Sequence, residues 1–121
     1  MKNILLVEDD PFLIDIYTTK LSNSGFSIDV ASDGKIGLEK LEEKNYDLVI
    51  LDIVLPHLNG WEVLEALNQN EKIKDLRIFV LSNLGQKEEV EKGLSMGAIK
   101  YFIKAHYTPS EVVNEIKKVL G

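Results

Sequence analysis

The chain has 121 residues, a net charge of −6 and no cysteine, with 45% hydrophobic and 28% charged residues. That size and balance suit one globular domain with a single real core. Without cysteine there is no disulfide framework, thiolate metal site or cysteine nucleophile, and the acidic balance argues against direct nucleic-acid binding, which needs clustered Lys and Arg.

No apolar run approaches the roughly 18 residues a membrane helix needs. The opening "MKNILLVEDD" has only a short apolar stretch ending in acids, so it is no signal peptide. The expectation is a cytoplasmic protein forming one domain over residues 1–121.

Residues 3–8 read as a strand that stops at Glu8-Asp9-Asp10. Asp10 is a candidate helix cap, and Pro11 suits a first helical turn, where its missing N–H is not needed. Leu13, Ile16, Tyr17 and Leu21 then recur at helical spacing, and Gly25 supplies the stop. Residues 26–31 alternate apolar and polar, a second strand ending in Ala31-Ser32. Asp33-Gly34 turns the chain into a helix with Ile36, Leu38 and Leu41 on its apolar side. The acidic "LEEKNYD" run after it reads as a solvated helix end. Residues 47–52 form a near-continuous apolar strand, and Asn59-Gly60 opens a helix carrying Trp61, Val63, Leu64 and Leu67. Residues 77–82 are a fourth strand. A polar helix with Val90, Leu94 and Met96 follows, closed by Gly97. Residues 100–104 are a fifth strand, and Thr108-Pro109-Ser110-Glu111 is a capping box launching a helix through Val112, Val113, Ile116 and Leu120.

Five strands alternating with five helices imply a parallel sheet with right-handed crossovers and helices on both faces, a doubly wound three-layer α/β/α fold. Ligands of such sheets bind outside the carboxyl ends of the strands. Those ends carry Glu8-Asp9-Asp10, Asp52, Ser82-Asn83 and Lys104. Clustered carboxylates repel one another unless a cation offsets them, and oxygen-only ligands suit Mg²⁺, which commonly shares its shell with a phosphoryl group. Asp52 is then a candidate nucleophile, with the metal and Lys104 offsetting the charge of phosphoryl transfer.

Over essentially its whole length the sequence resembles the receiver domain of two-component response regulators, and is chemotaxis-regulator-like. The matching residues are the acids in "LLVEDD", Asp52 in "DIVLP…NG", Ser82 in "VLSN", Tyr101 in "YFIK" and Lys104. The resemblance implies a flavodoxin-like fold with strand order 2-1-3-4-5 and phosphorylation at Asp52. It also implies Mg²⁺ bound by Asp9, Asp52 and the Val54 carbonyl, with Glu8 acting through metal-bound water. By the same likeness Ser82 bonds a phosphoryl oxygen, Lys104 pairs with it, and Tyr101 is the aromatic switch that changes rotamer when Ser82 moves. The implied donor is a sensor histidine kinase or phosphotransfer protein, and the output an unidentified protein target. The domain would not be a turnover enzyme; it would catalyse only its own phosphorylation and slow autodephosphorylation. One departure stands out: the family usually has Lys-Pro after strand five, commonly cis, where this chain has Lys104-Ala105. A trans bond is expected there, since cis costs about 2.5–4 kcal/mol before a non-proline residue.

Read singly, each of these residues has a plainer explanation. Asp52 fits a turn acid satisfied by loop amides, Ser82 a helix cap, Lys104 an edge lysine reaching solvent, and Tyr101 an ordinary half-buried strand tyrosine. His57 and His106 have no partner implied by spacing, and Trp61 is expected to pack over the third helix. Other readings of the whole chain are a flavin carrier or small flavodoxin-like enzyme, a metal-dependent phosphatase with an aspartyl nucleophile, and the receiver piece of a longer DNA-binding regulator. The first lacks a Gly- or Ser-rich phosphate loop after strand one; the second lacks a general acid at Ile53 or Val54. Ala98-Ile99-Lys100 stands where dimerising regulators usually carry acids, so a monomer or a weak phosphorylation-dependent dimer is expected. Two further expectations, one on stability and one on phosphate lifetime, complete the reading: neutralising Asp9 or Asp52 relieves repulsion in the metal-free protein, and Val54 and Leu84 slow hydrolysis because neither side chain can orient a water.

Overall fold

The computed structural model describes residues 1–71 and 75–121. Strands β1 (Asn3–Val7), β2 (Ser27–Ala31), β3 (Leu48–Leu51), β4 (Arg77–Ser82) and β5 (Lys100–Ile103) alternate with helices α1 (Pro11–Asn23), α2 (Gly34–Glu43), α3 (Gly60–Asn68), α4 (Lys87–Ser95) and α5 (Pro109–Leu120). All strand pairs are parallel, in the order β2-β1-β3-β4-β5, as the resemblance implied.

Strands buried on both faces need apolar residues, and β3 "LVIL" and the "IFVL" of β4 supply them. Alternation along each strand divides them between two cores. Ile4, Leu6, Leu48, Ile50, Phe79, Leu81 and Phe102 pack against Tyr17 and Leu21 of α1 and Val112, Val113 and Ile116 of α5. Leu5, Val7, Val49, Leu51, Ile78 and Val80 face Leu41 of α2 and Val63, Leu64 and Leu67 of α3.

The helix starts follow local chemistry. Asp10 accepts the Phe12 N–H at 2.9 Å, with Pro11 opening the helix. The Thr108 and Glu111 backbone N–H groups each donate to the other's side-chain oxygen, at 2.9 and 3.2 Å, and those of Asn59 and Glu62 do the same at 3.0 and 2.9 Å. Gly97, with φ 107°, turns the chain out of α4.

Three expectations need correction. Strands β1, β3 and β5 end one residue early, at Val7, Leu51 and Ile103, so Glu8, Asp52 and Lys104 stand just past the ladder. Leu94 is 45% exposed, because the inner side of α4 is occupied at Gly93. The "LEEKNYD" run is only partly solvated: Tyr46 donates to Asp29 at 2.6 Å, and Asp47 accepts the Asn3 N–H at 2.8 Å. The Lys104-Ala105 bond is trans, within a 3-10 turn over Lys104–His106.

Candidate metal centre and phosphoacceptor site

Register builds the site. Val7 pairs with Leu51, so the next residues along, Glu8 and Asp52, are neighbours across β1 and β3. The backbone holds both in place: the Glu8 N–H donates to the Ala31 carbonyl, and the Asp52 N–H to the Val7 carbonyl, each at 3.0 Å. The gap between β1 and β3 is also where the strand order reverses, with β2 on one side and the later strands on the other.

The two-residue period then sorts the side chains. Glu8 and Asp52 continue the rows of Leu6 and Ile50 on the α1/α5 face, while Ser82 and Tyr101 continue the row of Val80 on the other. Charge and switch candidates therefore lie on opposite faces of one sheet edge.

On the charged face, Lys104 Nζ lies 2.8 Å from Asp52 Oδ2 and 2.9 Å from Glu8 Oε1. Its side chain is 15% exposed, against 2% for Glu8 and 5% for Asp52, so it is no edge lysine reaching solvent. Glu8 Oε2 also accepts the Asp9 and Asp10 N–H groups, each at 3.1 Å. Asp52 Oδ1 accepts the Val54 N–H at 3.2 Å, the turn-acid bond expected of it. Glu8, Asp9 and Asp52 each offer a carboxylate oxygen within 4.8 Å of the others. Asp9 is exposed and has no ion-pair partner among the described residues. Burial pushes the Glu8 carboxyl above its ordinary range, and the Asp52 charge adds to this, despite the opposing bond from Lys104. Burial would lower the Lys104 ammonium, but its bonds to Asp52 and Glu8 prevail and raise it.

On the other face, Ser82 is fully buried and its Oγ accepts the Leu84 N–H at 3.3 Å. It caps no helix, since α4 begins only at Lys87. Tyr101 turns inward, and its hydroxyl donates to the Leu84 carbonyl at 2.5 Å. Burial, then the charges of Glu89 and Asp52, push this phenol up to about 12. Ser82 and Tyr101 thus grip the same residue, Leu84, from its two backbone sides.

Val54 is 58% exposed and Leu84 half-buried. His57, read as partnerless, has Nε2 4.0 Å from Asp33 Oδ2, and its φ is 66°. Asp33 also accepts the Ile36 N–H at 2.8 Å. Trp61 carries the Lys92 ammonium 4.3 Å over its ring, so it joins α3 to α4. Sequence reading missed the Leu84 carbonyl as a partner of Tyr101, and no side-chain pattern could reveal a backbone acceptor. Among the described residues no helix is long and apolar enough to cross a membrane.

Comparison with known proteins agrees with this geometry. The model of the response regulator receiver domain matches residues 4–117. The response regulator ArlR of Staphylococcus epidermidis is 33% identical over 120 residues, covering 99% of this chain and 53% of ArlR. The alkaline phosphatase synthesis transcriptional regulatory protein PhoP of Bacillus subtilis is 36% identical over 121 residues, covering 98% of this chain and 48% of PhoP. The chain spans about half the length of these curated relatives. The response regulator TrrA of Thermotoga maritima, solved in complex with Mg²⁺ and BeF, matches with a TM-score of 0.84 and 32% identity, over 98% of this chain and 99% of that one. Strand order, strand-end acids and whole-chain matches all converge, and the chain belongs to the receiver-domain family of two-component response regulators.

Proposed function

We propose that Asp52 is the phosphoacceptor, taking a phosphoryl group from a phosphohistidine on a sensor histidine kinase or phosphotransfer protein. A carboxylate oxygen of Asp52 attacks phosphorus. The new O–P bond forms as the N–P bond breaks, and that electron pair stays on the leaving imidazole. The observation that carries this reading is the Lys104 ammonium held between Asp52 and Glu8 beside the three-acid cluster.

The donor set fits Mg²⁺, being hard oxygens only, crowded together and short of positive charge. Asp9, Asp52 and the Val54 carbonyl would hold the ion, with Glu8 acting through its waters. Bound there, Mg²⁺ supplies the positive charge that lets an anionic phosphoryl donor approach carboxylates. Lys104 would pair with the phosphoryl group once it is on Asp52, and Ser82 would donate its hydroxyl to a phosphoryl oxygen. Movement of Ser82 toward that oxygen would change the rotamer of Tyr101 and alter the face formed by α4, β5 and α5.

On this reading the chain is a switch that catalyses only its own phosphorylation and slow hydrolysis. The side chains of Val54 and Leu84 carry no group that can hydrogen-bond an attacking water, which supports a long-lived phosphoryl group. The signal would pass in the cytoplasm to a protein target, with the chain monomeric or weakly dimeric when phosphorylated, and with no direct nucleic-acid or membrane contact of its own.

Incubation with a small phosphodonor and Mg²⁺, read by intact mass, tests this. Wild type gains one phosphate, while Asp52→Asn and an EDTA-treated sample gain none; equal labelling of all three overturns the assignment. After donor removal, Val54→Asn loses its phosphate faster than wild type, and equal decay would remove the role given to Val54.

A further inference from the structure

Gly93 stands in the interior of α4, where glycine's backbone freedom weakens a helix and alanine would be favoured. The reason for a glycine lies across the gap to β5. A Cβ built on Gly93 would meet Tyr101 Cδ2 at 2.6 Å and Cε2 at 2.8 Å, with Trp61 Cζ3 at 3.9 Å. The first two distances are too short for any side chain to coexist with the ring where it lies.

We propose that Gly93 is the positioning residue of Tyr101: its bare backbone is the seat of the inward ring, and any side chain there drives the ring out. Helix α4 has little room to retreat instead. Lys92 is stacked over Trp61 of α3, Asn68 Nδ2 donates to the Met96 carbonyl at 2.6 Å, and the Ala98 N–H donates to the Gly93 carbonyl at 3.1 Å. The ring, by contrast, needs only a rotation about χ1 to leave. Leaving breaks the bond from its hydroxyl to the Leu84 carbonyl, on the residue whose N–H is bonded to Ser82 Oγ. Expulsion of the ring therefore loosens the segment behind the phosphoacceptor. That functional consequence rests on the switch role proposed above, whereas the positioning itself does not.

The test uses protein labelled with 3-fluorotyrosine, with the Tyr101 resonance assigned by its loss in Tyr101→Phe. In Gly93→Ala the Tyr101 signal moves toward the free amino acid, and its broadening by a soluble paramagnetic reagent rises several-fold. Binding of beryllofluoride with Mg²⁺ changes at least threefold, because the Tyr101 rotamer is coupled to the position of Ser82 through Leu84. An unchanged Tyr101 signal overturns the inference. A moved signal with unchanged beryllofluoride binding supports the positioning and removes the switch role of Tyr101 instead. Melting adds a check: Gly93→Ala raises the melting temperature more in a Tyr101→Ala background than in wild type, because only the helix preference then remains. Should Gly93→Ala fail to fold, recovery of folding in the double variant supports the inference, and failure to recover overturns it.

Discussion

Two carboxylates in this molecule each meet a lysine at about the same distance, and they respond in opposite directions. Asp29, on the edge strand β2, accepts the Tyr46 hydroxyl at 2.6 Å and the Lys44 ammonium at 3.0 Å. Those bonds, in that order, hold its carboxyl below the ordinary range. Glu8 has the Lys104 ammonium at 2.9 Å and two backbone N–H groups besides, yet its carboxyl is raised. The number of partners is not what separates them. Asp29 is partly bathed in solvent and, among the described residues, shares its lysine with no other acid, whereas Glu8 is buried and shares Lys104 with Asp52. One ammonium between two buried anions leaves the cluster short of charge. The first arrangement is structural; on the proposed reading, the second is prepared for a cation.

The largest effect that could break this contrast is at Lys104. Lys104→Met leaves two buried anions without their cation and should cost about 3 kcal/mol in urea unfolding without metal. A loss below about 1 kcal/mol would mean that the cluster is no more strained than the surface pair. Next is Asp9→Asn, which removes a repelling charge and no ion pair, and should stabilise the metal-free protein by about 1 kcal/mol. Asp52→Asn should bring no such gain, because it surrenders the bond from Lys104. From sequence alone the two acids are equivalent; the position of Lys104 separates them.

The smallest effect is on the pH profile, where the two hubs act with opposite sign. The raised Glu8 contribution is full below its ordinary value of 4.5 and is lost as pH rises through the folded value, so stability falls with pH there. The lowered Asp29 contribution is present above its ordinary value of 3.8 and is lost as pH falls through the folded value. Melts from acid to neutral pH should show Glu8→Gln flattening the first decline and Asp29→Asn the second. Screening should hold the Asp29 effect to under about 1 kcal/mol. The same change in slope for both variants would contradict the contrast.

The fold was largely legible because its signals are local. Apolar runs such as residues 48–51 carry the buried strands, Thr108 and Glu111 announce α5, and Asp10-Pro11 announces α1. The candidate site residues were legible too, as polar groups at or near strand ends. Their pairing was not, because Lys104 meets Glu8 and Asp52 across the sheet, and nothing near residue 104 in the chain specifies those partners. The Asp29–Tyr46 bond and the His57–Asp33 approach were hidden for the same reason. Leu94 misled because helical spacing marks a face without saying whether a neighbour covers it.

The most direct test of the central contrast is a Mg²⁺ titration followed by thermal melting of wild type, Asp29→Asn and Asp9→Asn. A cation that binds only the folded cluster must raise the melting temperature. Wild type and Asp29→Asn should rise together by several degrees, while Asp9→Asn rises much less. Equal shifts in all three proteins, or none in any, would contradict the assignment of Glu8, Asp9 and Asp52 as a shared cation site.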